Sequence, residues 1–171
     1  MGTDEQLLVR VCAGDEGALG ELLGRYEEPL SHFIYRHTGG RDVEDIFQET
    51  WLRVVRFAAR FDPSKRFSTW LFQIAVNLCR DWRRRLPPEP MPPVESAGAS
   101  VPFERAEAGL DAQRLLSLLP EPQREVLILR YYHDLTEAET AAVLDCPQGT
   151  VKSRLHQALA RLTAFVRAEE Q

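Results

Sequence analysis

The stretch PPEPMPPVESAGASVPF, residues 87–103, limits what this chain can fold into more than any other. Six of its seventeen residues are proline. Proline has no amide hydrogen and a fixed φ, and it pushes the preceding residue out of helical geometry. This density therefore forbids helix and interrupts sheet pairing. The segment reads as an extended, mobile linker over 87–104. It splits the chain into a part at 1–86 and a part at 105–171. Neither part has sustained strand alternation bounded by hairpin turns, and both space their apolar residues as helices do. The expected fold is all-α, two small helical domains joined by a flexible Pro-rich linker. Helices are predicted near 4–13, 15–37, 41–60, 67–85, 105–118, 121–132, 136–144 and 148–167.

Charge divides the chain more finely. The formal net charge is −5 over 171 residues. Yet residues 1–50 carry four Arg against eleven Asp or Glu, a net −7, while residues 51–86 carry nine Lys or Arg against two Asp, a net +7. Residues 87–125 and 126–171 are acidic again, at −4 and −1. An acidic chain thus hides one strongly basic block that can meet a polyanion. No apolar run approaches the ~18 residues of a membrane helix. The N-terminal MGTDEQLLVR lacks the basic flank and apolar centre of a signal peptide. No direct membrane insertion is expected. Cys12, Cys79 and Cys146 are odd in number and far apart, which fits a reducing compartment and three small buried apolar residues. His32, His37, His133 and His156 lie near no cysteine at zinc-ligand spacing. No Gly-rich phosphate loop or nucleophile elbow is present. No catalytic residue, metal or cofactor is expected, and the chain does not read as an enzyme.

Three helices carry information beyond fold. In RDVEDIFQETWLRVVRFAAR, residues 41–60, a rotation of ~100° per residue puts Val43, Phe47, Thr50, Val54, Phe57 and Ala58 on one face, expected to be core. Asp45, Gln48, Glu49 and Leu52 fall on the far side. A leucine among carboxylates and an amide suits a protein-binding face that selects a basic partner. Helical spacing alone also fits a solvated face with one stray leucine.

In KRFSTWLFQIAVNLCRDWRRR, residues 65–85, Trp70, Leu71, Ile74 and Leu78 make a core stripe. Gln73, Asn77, Arg80 and Arg84 make a polar stripe about 100° round from it. Gln and Asn can bond base edges, and Arg pairs with phosphate or guanine. Arg83–Arg85 would extend a phosphate-binding end. Phe61, Lys65, Arg66 and Phe67 fall on the loop before the helix, where aromatics and cations can bind unstacked bases. The other reading is an amphipathic helix whose basic end complements its own dipole.

In LTEAETAAVLDCPQGTVKSRLHQALARL, residues 135–162, Thr136 and Glu139 are spaced as a capping box. Ala138, Ala141, Ala142 and Leu144 are expected on an inward face, with Ala142 allowing close helix approach. Asp145-Cys146-Pro147 ends the helix, since Asp tolerates left-handed backbone and Pro cannot continue it. In the next helix Val151, Leu155 and Leu162 point inward. Lys152, Ser153, His156 and Gln157 point away, with Arg154 beside them. This is a helix-turn-helix pattern, and an ordinary αα-hairpin is its alternative.

Together these segments resemble a bacterial RNA polymerase sigma factor of the extracytoplasmic-function (ECF) group of the sigma-70 family. DVEDIFQETWLRV resembles the family's region 2.2. FSTWLFQIAVNLCRDWRRR resembles regions 2.3–2.4. LPEPQREVLILRYYHDLTEAETAAVLDCPQGTVKSRLHQALARL resembles region 4. The likeness covers nearly the whole chain outside the linker. It implies a region 2 domain at 1–86 and a region 4 domain at 105–171. Asp45, Gln48, Glu49 and Leu52 would then bind the β′ coiled coil of core RNA polymerase. Phe61, Lys65, Arg66, Gln73, Asn77, Arg80 and Arg84 would read and melt the promoter −10 element, with Phe61 and Asn77 at the flipped base. Lys152, Ser153, Arg154, His156 and Gln157 would read the −35 element. The resemblance further implies contact with the polymerase β flap, restraint by an anti-sigma factor, and a cytoplasmic protein held at the membrane when that factor is membrane-bound. Asp145 stands where many members have Gly, and Gln157 where many have Arg. A stand-alone helix-turn-helix regulator is the alternative reading, and it leaves the 45–52 face without a purpose.

Overall fold

The computed structural model describes residues 2–87 and 110–169. The linker at 87–104 and the predicted helix start at 105 lie almost wholly outside the described residues. Among the described residues the secondary structure is helical throughout. The chain divides into two compact units, one built on Met1–Arg85 and the other on the helices from Leu110 onward.

The first unit holds α1 (Asp4–Cys12), α2 (Glu16–Thr38), α3 (Val43–Phe57) and α4 (Phe67–Arg85). Local chemistry starts these helices. Thr3 caps α1 in a reciprocal capping box with Gln6, and Asp15 caps α2 by accepting from the Ala18 amide. Gly39, in left-handed geometry, ends α2. The helix predicted over 41–60 tightens into a 3₁₀ turn at Ala58–Arg60.

The four helices enclose an apolar core. Phe33 and Phe67 are fully buried, as are Leu22, Leu30 and Leu71. Burying each such side chain contributes about 1.5–3 kcal/mol. Phe33 meets Phe72 edge-on, with centroids 5.1 Å apart.

Two predicted faces are rotated from their expected positions. On α3 the buried residues are Ile46, Thr50, Trp51 and Val54, followed by Ala58 in the 3₁₀ turn. Val43, Phe47 and Phe57 are only half-buried. On α4 Leu71 and Leu78 are buried as expected, but Trp70 and Ile74 are half-exposed, and Phe72, Ala75, Val76 and Cys79 complete the buried arc. α3 packs against α2 and α4, and α4 packs against α1, α2 and α3. Their buried arcs are therefore wider than a single stripe, and are centred between those neighbours.

The second unit holds α5 (Leu110–Ser117), α6 (Glu121–Leu127), α7 (Glu137–Leu144) and α8 (Gln148–Glu169). The helix predicted over 121–132 widens to π-helical geometry at Ile128–Tyr132. Val126 to Leu129 are all fully buried, so this segment is apolar all round. The capping box at the start of α7 forms. The Thr136 amide donates to Glu139 Oε2 at 2.8 Å, and the Glu139 amide donates to Thr136 Oγ1 at 3.1 Å. Asp145 takes the left-handed backbone expected of it, with φ 51°.

The small-residue face of α7 differs from expectation. Thr140, Ala141, Val143 and Leu144 are buried, whereas Ala138 and Ala142 are exposed. Ala141, not Ala142, is the small residue turned inward. On α8 Val151, Ala158 and Leu162 are buried, and Leu155 is partly exposed. The cysteines also depart from a uniform reading: Cys79 is buried, Cys146 intermediate and Cys12 exposed. No described helix is long and apolar enough to cross a membrane.

Candidate protein and nucleic-acid interfaces

The face of α3 opposite the core carries Asp45 and Gln48, both exposed, Glu49, half-buried, and Leu52. Spacings of three and four residues bring them into one strip. Leu52 is 62% exposed, and Val55, one turn on, is 48% exposed. Val55 was missed in the sequence because a valine near the end of an apolar-rich helix looks like core. Two pairs brace the strip. Glu49 accepts from Arg53 Nε at 3.0 Å, and Gln48 Nε2 donates to Glu44 Oε1 at 3.4 Å. The strip therefore offers an apolar centre flanked by ordered carboxylates.

The loop before α4 is held at both ends. Asp62 Oδ1 accepts from the Ser64 hydroxyl at 2.7 Å and from the Ser64 amide at 3.0 Å. These bonds hold the Asp62 carboxyl below its ordinary pKa and close an Asx turn. At the far end the Phe67 amide donates to Glu5 Oε1 at 2.9 Å. Between the two, Lys65 and Arg66 are exposed. Phe61 is half-buried against Trp70, 5.1 Å between centroids, and meets Phe67 in an edge-to-face arrangement at 6.3 Å. Phe67 does not belong to the loop surface: it opens α4 and is fully buried. Its apolar neighbours outcompete exposure to a nucleic acid.

Along α4, Asn77 and Arg84 are exposed, and Gln73 and Arg80 are half-buried. Arg84 lies 3.2 Å from Asp81 with its side chain 74% exposed, a pair too open to hold it firmly. The basic end of α4 is not a uniform triplet. Arg83 donates to the carbonyl of His37 at 2.8 Å, so it serves the fold, while Arg84 and Arg85 face solvent. Beside it Trp82 Nε1 donates to Asp42 Oδ2 at 2.7 Å, and Arg41 lies over the Trp82 ring at 5.5 Å. These contacts tie the last turns of α4 to the α2–α3 connection.

In the second unit, Lys152, Ser153, His156 and Gln157 are exposed on one side of α8, with Arg154 half-buried. Lys152 Nζ lies 3.6 Å from Glu137 Oε2 on α7. Gln157 Oε1 accepts from Nε2 of Gln123 on α6 at 3.2 Å. An outward polar and basic helix, supported by the helix before it across a sharp turn, has the shape for a DNA major groove. Among the described residues no group of three or more His, Cys, Asp or Glu could hold a metal.

A basic surface with a braced aromatic loop in the first unit, and a helix-turn-helix in the second, suit a protein that meets nucleic acid. Residues 22–86 match the family model for sigma-70 region 2, and residues 110–162 match that for sigma-70, region 4. The chain is 32% identical over 172 residues to the ECF RNA polymerase sigma-E factor of Escherichia coli strain K12, covering 91% of this chain and 90% of the relative. Among solved structures it is similar to CnrH in complex with the cytosolic domain of CnrY, with TM-score 0.78 and 26% identity over 96% of this chain and 97% of CnrH. It shares its fold with the sigma factor RpoE of Bartonella quintana, solved with the anti-sigma factor NepR, with TM-score 0.70 and 22% identity over 87% of this chain and 96% of that one. The chain belongs to the ECF RNA polymerase sigma factors of the sigma-70 family. Its function is promoter-specific initiation of transcription with RNA polymerase.

Proposed function

We propose that the strip on α3 docks on core RNA polymerase, with Asp45, Gln48, Glu49 and Leu52 against the β′ coiled coil and Val55 widening the apolar centre. Leu52 carries this reading: an apolar side chain 62% exposed amid braced carboxylates has no role in its own fold. Region 2, residues 1–86, then melts and reads the −10 element. Phe61 and Asn77 take the flipped base. Lys65, Arg66, Gln73, Arg80 and Arg84 hold the displaced strand, where stacking and charge neutralisation offset the few kcal/mol of unstacking. Region 4, residues 105–171, reads the −35 duplex through Lys152, Ser153, Arg154, His156 and Gln157 and contacts the β flap. Residues 87–104 join the two.

The chain acts by binding, not by catalysis. Its acidic residues 1–50, at net −7, oppose DNA binding by the free protein, so that polymerase supplies the affinity. An anti-sigma protein covering the two regions restrains it in the cytoplasm, or at the membrane where that protein is anchored. Family membership supports that restraint, and CnrH was solved with a protein partner of its own.

Run-off transcription tests the proposal. Purified core polymerase, this chain and DNA from upstream of its own gene are expected to give a discrete transcript. Asp45→Ala with Leu52→Ala should lower it at least tenfold while leaving the thermal unfolding midpoint within a few degrees. Tight duplex binding by the chain alone, with no transcript and no co-migration with core, would overturn the assignment of these surfaces.

A further inference from the structure

Gln123 lies on α6, is only 8% exposed, and reaches the outward face of α8 through one bond. Its Nε2 donates to Gln157 Oε1 at 3.2 Å. Gln157 itself is exposed. We propose that Gln123 is a specificity-setting residue: it holds the Gln157 amide with its oxygen inward and its NH2 outward, and so selects the base edge that Gln157 can read. This rests on the reading of α8 as the −35 helix and goes a step beyond it.

The chemistry follows from the two ends of an amide. A free glutamine reads adenine with both, accepting from N6 and donating to N7. With its oxygen turned inward to Gln123, Gln157 presents its NH2 donors outward. Those suit guanine O6 and N7 or thymine O4. Adenine keeps one contact of two. Cytosine, whose N4 amine is itself a donor, gets none.

The orientation has a physical basis. Gln123 Oε1 is buried without a partner. Turning both amides would place the Gln123 NH2, with two donors, at that buried spot, and orphaned donors are rarer than under-satisfied oxygens. The bond also restrains a side chain that would otherwise lose rotamer freedom on binding DNA, which favours a fixed preference.

The test uses the full chain with core polymerase and a promoter pool in which each −35 base pair is varied in turn. Gln157→Ala is expected to abolish the preference at one position and leave the others unchanged, which locates the base pair. If it alters none, Gln157 does not read the −35 element and both readings of this residue fall. At that position the wild type should favour G or T over C by about fivefold to a hundredfold. Gln123→Glu only accepts when ionised, so assayed at about pH 8 it turns the Gln157 NH2 inward and its oxygen outward. The preference should move toward A or C, whose amines donate. A Gln123→Glu protein that folds, transcribes and keeps the wild-type preference overturns the proposal. If thermal melting shows that this variant does not fold, Gln123→Met, of similar length and without hydrogen bonds, replaces it. It should weaken the preference at that position alone, and an unchanged preference there is equally fatal.

Discussion

The carboxylate of Glu5 accepts the amide of Phe67 at 2.9 Å, across 62 residues of chain. It thereby caps α4 from α1 and fixes one end of the loop that carries Lys65 and Arg66. The bond from Phe67 is the main reason the Glu5 carboxyl sits below its ordinary pKa, with burial opposing it. A carboxyl depressed in the folded state stabilises above the unfolded pKa of about 4.3, and that contribution fades as pH falls through the lower folded value. Glu5→Ala should therefore cost about 1 kcal/mol at pH 7 in urea unfolding. Glu5→Gln keeps an acceptor but no charge, so its deficit at pH 7 should shrink toward pH 3. An equal deficit at both pH values would show that the charge contributes nothing. No local pattern marks Glu5 in the sequence, because a cap supplied from another helix has no fixed spacing. The outward placement of Lys152, Ser153, His156 and Gln157 was legible, because helical rotation alone separates them from Val151 and Leu162. The bond between Gln157 and Gln123 was not, for the same reason as Glu5.

At the scale of elements, helix ends follow short-range chemistry and helix faces do not. The Thr136–Glu139 box and the Asp145 turn are formed by neighbours in the chain, and both were legible. The α2–α3 connection is stricter. Gly40 has φ 84°, and a Cβ there would stand 2.7 Å from Tyr35 Cε2. Gly40→Ala should cost about 1–3 kcal/mol from backbone strain, before any displacement of the Tyr35 ring. Gly149, in α8, has open space around its Cβ position. Gly149→Ala should be neutral or stabilising by up to about 1 kcal/mol. Thermal denaturation of the two variants checks the contrast, and similar midpoints would refute it. Faces were harder to read. Periodicity put Val43 and Phe57 in the core of α3, yet Ile46 and Trp51 are buried instead, because α3 packs against both α2 and α4. A helix with two partners buries the arc between them, and one sequence does not say where they stand.

At the scale of the molecule, each unit has its own buried core, around Phe33 and Leu71 in the first and around Ile128 and Val151 in the second. Residues 1–86 expressed alone should therefore unfold in a single cooperative transition. Residues 105–171 should also fold but with a lower midpoint, since a chain of that size buries a smaller fraction of its surface. Circular dichroism of both fragments checks this, and a non-cooperative melt of 1–86 would refute independent folding. The sequence by itself determined the helical class, the basic block at 51–86 and the outward residues of α8. Those features depend on backbone chemistry, composition and 3.6-residue rotation, all of which are local. Only the tertiary structure decided that Phe67 is core and not a base-stacking ring, that Arg83 binds the His37 carbonyl while Arg84 stays open, and that Gln123 reaches Gln157. Each of those depends on which distant side chain arrives beside it, and burial and hydrogen bonding are settled by neighbours in space.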